Sequence, residues 1–209
     1  MIAIIDYGVG NLFSLQSSFK YIGQEAVVTA DPAVIEAADR LILPGVGAYR
    51  DAAAKLRDSG MAGIVMQQAA KGKPLMGICL GMQLLLEKSY EYGEHKGLGL
   101  IKGSVVPIAG AAPAEFKIPH IGWNTLKFTG GPNAAEGVDP LFKYIEEGDY
   151  VYFVHSFYAS DCEEATIAVT DYGVPITAAV AKGNVYGCQF HPEKSGDVGM
   201  RILKAFCEI

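Results

Sequence analysis

Short apolar runs alternate with segments of helical period in the first half of the chain. The runs are rich in Ile, Leu and Val and predict buried strands: IAII at 2–5, VVT at 27–29, LIL at 41–43 and PLMGI at 74–78. Apolar residues recur at helical spacing from Leu12 to Ile22, at Ala52 and Leu56, and again over 64–70, which predicts three intervening helices. This alternation predicts a parallel sheet covered by helices on both faces.

The second half has a different pattern, in which apolar runs follow one another with only short gaps. They predict antiparallel strands: YVYFVHSFYA at 150–159, ATIAVT at 165–170, ITAAVA at 176–181 and NVYGCQF at 184–190. An amphipathic helix is expected from about Val198 to Phe206, and the stretch 104–140, rich in Pro and Gly, is expected to be irregular. The fold class is therefore α/β, with a mixed, mainly parallel central sheet flanked by helices and an antiparallel C-terminal part.

Length and charge narrow the class of protein. A chain of 209 residues is enough for one domain with a sizeable core, so residues 1–209 are expected to form a single domain. The formal net charge of −6 is spread without blocks of like charge, which argues against nucleic acid and anionic membrane surfaces as partners. The N-terminus MIAIIDYG has no basic region and too short an apolar stretch for a signal peptide or a membrane span, so a cytoplasmic protein is expected.

The sequence provides no pattern for a metal or a cofactor. Its four cysteines lie far apart and form no CxxC pair, which favours free thiols in a reducing compartment over a zinc site or a disulfide framework. The H-x-E at 191–193 lacks the later P-C-x-x-C of zinc deaminases. Gly8-Val9-Gly10 begins like a dinucleotide motif, but Phe13 stands where its third glycine belongs. We therefore expect no metal and no cofactor.

Cys79 lies in the segment G-I-C-L-G, after a predicted strand and before a predicted helix. This is the thiol version of a nucleophile elbow, a strained turn in which Gly77 and Gly81 leave room for the backbone. The N-terminus of the next helix would favour the thiolate, and the backbone N–H of Leu80 would face a developing oxyanion. The alternative is that Cys79 is only a small buried residue beside a glycine-rich contact between strand and helix.

A thiol nucleophile requires a base, and the chain has only four histidines. His95 lies in a polar stretch and is expected to be solvated, whereas His120 and His155 are expected to be structural. His191 directly follows an apolar strand and precedes Pro192 and Glu193, so that the carboxylate can lie beside the imidazole at a sheet edge. The predicted order is nucleophile, base and orienting acid.

The turn Pro44-Gly45-Val46-Gly47 follows the strand RLIL. Its glycines would let backbone N–H groups approach a ligand and supply a second oxyanion donor. An ordinary glycine turn is the alternative.

Taken together, the motifs resemble those of the class I glutamine amidotransferases, whose fold is flavodoxin-like. The resemblance spans essentially the whole chain and rests on GICLGMQ at 77–83, PGVG at 44–47 and QFHPEKS at 189–195. Within that family the chain is most similar to the glutaminase subunits of imidazole glycerol phosphate synthase. That similarity rests on DYGVGNL at 6–12, PHIGWN at 119–124, YFVHSF at 152–157 and KGN at 182–184.

The resemblance implies a role for each matching residue. Cys79 would attack the side-chain amide of L-glutamine, His191 would act as acid and base, and Glu193 would orient His191. The N–H groups of Leu80 and Val46 would hold the oxyanion. Residues implied to contact glutamine are Gly45, Gly47, Gln83, Glu91 and the backbone of Ser156 and Phe157.

The resemblance also implies a partner, a (β/α)₈ synthase or cyclase subunit that forms a heterodimer with the chain. This subunit would use the channelled ammonia to make imidazole glycerol phosphate and aminoimidazole carboxamide ribotide. The residues implied to face it are Asn11, Trp123, Asn124, Tyr152 and Lys182. Phe13 and Ile121 depart from the family pattern near this surface, where Arg and Met are common, and Trp123 could instead be an aromatic that caps the core.

Two other functions remain open from the sequence. The first is a glutaminase subunit of another amidotransferase, such as pyridoxal phosphate synthase, and the second is a non-enzymatic thiol sensor on a flavodoxin-like fold. The HPE turn at 191–193 argues against the sensor, because a sensor needs no base.

Overall fold

The predicted strands of the first half form the parallel part of a large sheet. A computed structural model describes residues 1–134 and 137–209. In chain order its strands are β1 (Ile2–Ile5), β2 (Ala26–Thr29), β3 (Arg40–Leu43), β4 (Leu75–Ile78), β5 (Lys88–Ser89), β6 (His95–Lys96), β7 (Ser104–Pro107), β8 (His120–Thr125), β9 (Lys127–Phe128), β10 (Tyr150–His155), β11 (Phe157–Ser160), β12 (Thr166–Asp171), β13 (Pro175–Lys182) and β14 (Val185–Cys188).

The helices lie between the parallel strands and at the end of the chain. They are α1 (Leu12–Tyr21), α2 (Pro32–Ala37), α3 (Tyr49–Asp58), α4 (Met61–Ala70), α5 (Leu80–Leu85) and α6 (Gly196–Phe206). The sequence pattern missed α2, a six-residue helix that begins where the Asp31 side chain accepts a hydrogen bond from the backbone N–H of Ala33, ahead of Pro32 at its first position. No helix in the described part of the chain is long and apolar enough to cross a membrane.

The main sheet has the strand order β2-β1-β3-β4-β14-β13-β12-β9. Neighbours from β2 to β14 pair in parallel, whereas β13, β12 and β9 continue the sheet in antiparallel fashion. Two apolar clusters are built around this sheet, one around Leu41, Leu43 and Leu75 and the other around Ile4, Ile42 and Ile78. The alternation of side chains along β3 thus sends neighbouring residues into different clusters.

Three expectations from the sequence are corrected by this topology. The run NVYGCQF was grouped with the antiparallel strands, but β14 pairs in parallel with β4 on one side and antiparallel with β13 on the other. The run at 150–159 is not one strand, because Ser156 separates β10 and β11, which belong to different sheets. The stretch 104–140, expected to be irregular, contains β7, β8 and β9.

Two small sheets stand beside the main one. β8 and β10 form a two-stranded antiparallel ribbon in which Trp123 pairs with Tyr152 and His120 with His155. The other sheet has the order β11-β7-β5-β6. The ribbon thus brings the PHIGWN segment alongside YFVHSF, next to the carboxyl ends of the parallel strands, where ligands bind in open α/β sheets.

Candidate active site

Cys79 occupies a strained turn between β4 and α5. Its backbone angles are φ 55° and ψ −113°, a region that non-glycine residues rarely adopt. A Cβ added to Gly77 would lie 2.6 Å from the carbonyl oxygen of Gly81, and a Cβ on Gly81 would collide with the carbonyl oxygen of Leu43. Both glycines are therefore required by the close approach of the backbones, as the elbow motif predicts.

The thiol of Cys79 is largely buried, with 7% of the residue exposed. The backbone N–H of Cys79 donates to the carbonyl of Cys188 across the sheet at 2.7 Å, and Nε2 of Gln189 donates to Sγ of Cys79 at 3.7 Å. The helix that follows spans only six residues, so its dipole is shorter than the sequence MQLLLEK suggested.

His191 and Glu193 lie side by side at the end of β14. Nδ1 of His191 is 2.9 Å from Oε1 of Glu193, and both side chains are almost completely buried. Burial by itself lowers the pKa of His191, but hydrogen bonds with Cys79 and Glu193 and the charges of those groups outweigh it and raise the pKa to about 9. The pair is thus built to keep a proton on the imidazole.

The turn that carries His191 is fastened to the β8–β10 ribbon. The backbone N–H of His191 donates to the carbonyl of Tyr152 at 2.9 Å. The hydroxyl of Ser195 donates to the carbonyl of His191 at 2.6 Å and accepts from the N–H of Tyr152 at 3.0 Å. The position of His191 therefore depends on strand β10 as well as on the main sheet.

A cavity of about 350 Å³ opens above the thiol. It brings together nine of the residues predicted for the site, namely Val46, Gly47, Cys79, Leu80, Gln83, Glu91, Ser156, Phe157 and His191. Glu193 lies behind His191, where an orienting group belongs. The volume suits a small ligand of amino-acid size.

The PGVG turn forms one edge of this cavity. Gly45 was predicted to contact the substrate, but it is buried against the start of α5, where an added Cβ would lie 2.6 Å from the N–H nitrogen of Gly81. Val46 is 43% exposed and Gly47 has φ +90°. The carbonyl of Pro44 is held by the hydroxyl of Tyr7 at 2.7 Å. The turn is thus anchored at Pro44 and Gly45 and open at Val46 and Gly47.

The polar groups predicted to contact glutamine are already engaged within the protein. Nε2 of Gln83 donates to the carbonyl of Phe157 at 3.0 Å and to Oε1 of Gln189 at 2.9 Å. One carboxylate oxygen of Glu91 accepts from the N–H of Tyr49 at 2.7 Å. Because both hydrogens of the Gln83 amide are donated, its oxygen is the atom left for a ligand.

The other histidines differ partly from expectation. His95 is not a solvated loop residue: it lies in β6, its Nε2 is buried, and its ring stacks on Tyr49 with centroids 6.5 Å apart. His120 and His155 are buried and hydrogen-bonded to each other at 3.0 Å, which fits the structural role expected of them.

Most of the residues predicted to face a partner lie on the β8–β10 ribbon or directly before α1. Trp123 is 54% exposed and does not cap the core; its ring contacts Tyr152 edge-on and lies beside Gly196. Asn11 precedes α1, whose exposed Phe13 departs from the family pattern. Ile121, the other departure, is exposed as well.

Lys182 does not share the location of the other predicted interface residues. It pairs with Val185, and Val185 pairs with the first residue of β4, whereas Cys79 follows the last residue of that strand. Lys182 therefore lies at the opposite edge of the main sheet from the thiol, and the expectation that it lies near the mouth of the site is wrong. The exposed lysine beside the site is Lys194, in the turn after His191.

Some residues at the site were missed by the sequence analysis. Gln189 is fully buried and bonds both Gln83 and the thiol of Cys79. Tyr92 lines the cavity with a positive φ of 52°, and its ring contacts Phe157 edge-on. Gln189 could have been suspected because a polar residue inside the predicted apolar run at 184–190 needs hydrogen-bond partners. No pattern in the sequence marks Tyr92.

Titratable side chains do not cluster as metal ligands. Within residues 1–134 and 137–209, no group of three or more His, Cys, Asp or Glu side chains could hold a metal ion. The cavity and the residues directly behind it provide a thiol, an imidazole and a carboxylate, from Cys79, His191 and Glu193.

Comparison with known families identifies relatives of the whole chain. The family described as "Glutamine amidotransferase class-I" matches residues 3–209. The chain is 50% identical to "Imidazole glycerol phosphate synthase subunit HisH" of Caldanaerobacter subterraneus subsp. tengcongensis, over 100% of this chain and 98% of that protein. It is 48% identical to the protein of the same name from Wolinella succinogenes, over 100% of both chains.

Solved structures share the fold at lower sequence identity. One described as "Crystal structure of glutamine amidotransferase" superposes with a TM-score of 0.75 at 21% identity, covering 100% of this chain and 98% of the other. Another, "Structure of PurLQS from Thermotoga maritima", gives a TM-score of 0.74 at 21% identity and covers 99% of this chain and 97% of that chain. These two matches support the fold.

Proposed function

The chain belongs to the class I glutamine amidotransferase family, and we propose that it is the glutaminase subunit of an imidazole glycerol phosphate synthase, with residues 1–209 acting as one domain. The relatives at about 50% identity carry that subunit name over their full length. This favours an imidazole glycerol phosphate synthase over another amidotransferase. The observation that carries the proposal is the strained Cys79 in one cavity with the buried pair His191 and Glu193.

The first half of the reaction is nucleophilic attack by Cys79. Its thiolate adds to the carbonyl carbon of the glutamine side-chain amide and forms a tetrahedral intermediate. Collapse of the intermediate breaks the carbon–nitrogen bond, and protonated His191 gives its proton to the departing ammonia. The product is a thioester between Cys79 and the glutamyl group.

The second half is hydrolysis of that thioester. Neutral His191 removes a proton from water, which attacks the thioester carbon and releases glutamate and the Cys79 thiolate. His191 must therefore alternate between its two protonation states. Glu193 contributes by stabilising the imidazolium and by fixing the ring through the 2.9 Å contact at Nδ1.

The oxyanion formed in each half would be held by the N–H groups of Leu80 and Val46. The N–H of Leu80 belongs to the rigid start of α5, which packs against Leu43 and Gly45. Val46 belongs to the exposed part of the PGVG turn. We propose that a partner bound at this side completes the second donor, because exposed donors are less well preorganised than buried ones.

Recognition of free glutamine requires groups for its α-ammonium and α-carboxylate. The ammonium would meet the amide oxygen of Gln83 and the second carboxylate oxygen of Glu91. The carbonyls of Ser156 and Phe157 accept bonds from Ile108 and from Gln83 and His155, so their N–H groups are the more suitable contacts for the α-carboxylate. Gly47 offers a further backbone contact at the cavity edge.

The ammonia would pass to a (β/α)₈ synthase subunit bound over the cavity as a heterodimer. The exposed side chains of Phe13, Ile121 and Trp123 provide the apolar and aromatic surface that interfaces use as anchors. Asn11, Asn124 and Tyr152 lie on the elements that carry or adjoin these side chains. A cytoplasmic location is part of the same proposal, because the four cysteines are free thiols.

The proposal is tested by measuring ammonia release from glutamine by the chain alone, with the synthase, and with the synthase plus its nucleotide substrate. We expect turnover to rise on assembly and rise again with the nucleotide substrate. Persistent inactivity of the assembled and liganded complex would overturn the proposal.

A further inference from the structure

Two buried histidines of the β8–β10 ribbon take no part in the reaction, and one of them, His155, lines the cavity. His120 is on β8 and His155 on β10, and the two residues are paired across the ribbon. Both are almost fully buried. Buried imidazoles need partners for both ring nitrogens, and in this protein those partners form a continuous series of hydrogen bonds.

The donor and the acceptor of each hydrogen bond in this series are fixed. The carbonyl of Phe157 can only accept, so Nδ1 of His155 donates to it at 2.9 Å. Nε2 of the neutral His155 ring then accepts from Nδ1 of His120 at 3.0 Å, and Nε2 of His120 accepts from Nδ2 of Asn124 at 3.4 Å. Nδ2 of Asn124 also donates to the carbonyl of Asp171 at 2.8 Å, and its oxygen accepts from the N–H of Thr125.

Both rings stay neutral, as this arrangement requires. Burial lowers the pKa of His120 to about 4 and, together with the neighbouring His120 and His191, lowers that of His155 to about 3. The ring of His120 is also held in place between two aromatic rings, with centroids 4.8 Å from Phe153 and 4.0 Å from Tyr172. Neither histidine is free to change its orientation without breaking these contacts.

At its inner end, this series of hydrogen bonds reaches the groups that face glutamine. The carbonyl of Phe157 accepts from His155 and also from Nε2 of Gln83 at 3.0 Å. Gln83 donates in turn to Gln189, whose Nε2 donates to the thiol of Cys79 at 3.7 Å. The hydrogen bonds thus run without interruption from Asn124 to Cys79.

We propose that His155 and His120 are positioning residues for glutamine binding: they hold the Phe157 carbonyl at the place where it fixes the Gln83 amide with its oxygen toward the substrate. The inference rests on the proposed glutaminase function. Neither histidine donates a proton to a reacting atom, and their effect falls on the affinity for glutamine more than on the reactivity of the thiol. The effect on the affinity for glutamine declines from His155 to His120 to Asn124, since each of these residues is further from Gln83 along the series of hydrogen bonds.

The experiment follows alkylation of Cys79 by mass spectrometry with two reagents, in the full-length chain alone and assembled with the synthase. A diazoketone analogue of glutamine requires recognition of the amino acid, whereas iodoacetamide requires only the thiol. The variants are His155→Leu, which removes the hydrogen bonds of His155, and His155→Asn, whose amide nitrogen can replace Nδ1 as the donor to Phe157. His120→Leu and Asn124→Ala test the outer steps.

The matched control is Asn133→Ala. Like Asn124, Asn133 donates its side-chain amide to a backbone carbonyl, that of Gly183, and to a second side chain, the hydroxyl of Tyr186. These partners lie outside the series of hydrogen bonds that leads to Cys79. We expect this variant to bind the analogue as the wild type does, because it touches none of the groups that position Gln83.

We expect His155→Leu to raise the half-saturating concentration of the analogue about tenfold, as for loss of one net hydrogen bond at a buried site. His120→Leu should raise it about threefold and Asn124→Ala about twofold. His155→Asn should recover most of the loss, and the iodoacetamide rate should stay at the wild-type value in all variants.

Two results would overturn the inference while leaving the proposed function intact. One is unchanged half-saturation in both His155 variants. The other is an equal loss of reactivity toward both reagents, which would indicate a general disturbance of the fold. A wild-type chain that reacts with iodoacetamide but not with the analogue, even in the complex, would overturn the proposed function and this inference together.

Discussion

The two walls of the cavity differ in how firmly they are built. The wall formed by the main sheet carries Cys79, His191 and Glu193, which are buried and held by bonds to the backbone and to one another. The second wall includes Val46, in the PGVG turn that follows β3, and borders the β8–β10 ribbon with Trp123, and both of these side chains are about half exposed. Under the proposed function, the first wall carries the chemistry and the second wall is where the synthase subunit would bind.

This difference suggests a division of labour. Groups that form and break covalent bonds need fixed geometry, which burial in a packed sheet provides. An oxyanion donor and a docking surface can be left incomplete until a partner arrives, and under the proposed function this would prevent hydrolysis of glutamine without an acceptor for its ammonia. The three substitutions that follow test the first wall, and the pH dependence of stability then compares its His191 with the two histidines of the β8–β10 ribbon.

Cys79→Ser should have the largest effect. We expect glutamine-dependent ammonia release by the complex to fall on the order of 10³-fold or more, because the hydroxyl is a far weaker nucleophile than the thiolate. Synthesis by the partner from added ammonium should stay at the wild-type rate. Loss of both activities would mean that the substitution disturbs assembly, and retention of the glutaminase would exclude Cys79 as the nucleophile.

Gly81→Ala should destabilise the first wall by about 3 kcal/mol or more, because its Cβ would overlap the carbonyl of Leu43 and force two backbones apart. Gly63→Ala is the matched control, since this glycine lies within α4 and its added Cβ meets open space. We expect the control to be neutral or stabilising by up to about 1 kcal/mol. Urea unfolding measures both, and equal stability of the two variants would refute the tight packing at the elbow.

Glu193→Gln should lower kcat with glutamine about 10²-fold, because the amide cannot stabilise the imidazolium of His191. The Glu193 carboxylate helps to raise the pKa of His191 toward 9. Its loss should therefore move the alkaline limb of the kcat/KM profile to lower pH. A profile with an unmoved alkaline limb would show that His191 is not the titrating group.

The last prediction concerns the free energy of unfolding as a function of pH. His191, with its pKa raised from 6.5 to about 9, contributes stability that is complete below pH 6.5 and is lost as the pH rises to 9. His120 and His155, with pKa values lowered to about 4 and about 3, contribute stability above pH 6.5 that is lost as the pH falls toward those values.

These opposite contributions give the free energy of unfolding a maximum near neutral pH. His155→Asn should flatten the acid side of the curve and leave the alkaline side unchanged, as measured by urea unfolding between pH 4 and pH 9. A steeper acid side in the variant would contradict the neutral state of the His155 ring.

The firm wall was the more predictable one from the sequence. The positions of Cys79 and His191 follow from apolar strands that end in distinctive turns, because a parallel sheet brings the ends of its strands together. Of the two strands of the β8–β10 ribbon, β10 lies within the predicted run at 150–159. Strand β8 was not predicted, because it lies in a stretch rich in Pro and Gly that contains no sustained alternation. β14 was misassigned because periodicity cannot show whether a neighbour runs parallel or antiparallel.

Polar networks inside the fold were the least predictable part. Gln189, directly after β14, and His155, in β10, lie within runs of apolar character, and only the three-dimensional arrangement shows that both contribute to the hydrogen bonding around Gln83. Lys182 shows the opposite error, in which a local motif suggested a location that the antiparallel return of β13 does not allow. A motif fixes a residue's neighbours in sequence, whereas its place at one or the other edge of a sheet depends on strand direction.

The central claim is that the first wall, with Cys79, is complete in the isolated chain and that the partner acts on the second wall, with Val46. The most direct measurement compares the alkylation rate of Cys79 by iodoacetamide with the turnover of glutamine, before and after assembly with the liganded synthase. We predict an alkylation rate that changes less than about threefold while turnover rises on the order of 10²-fold. Alkylation and turnover that rise together by the same factor would contradict it, because the partner would then be building the nucleophile itself.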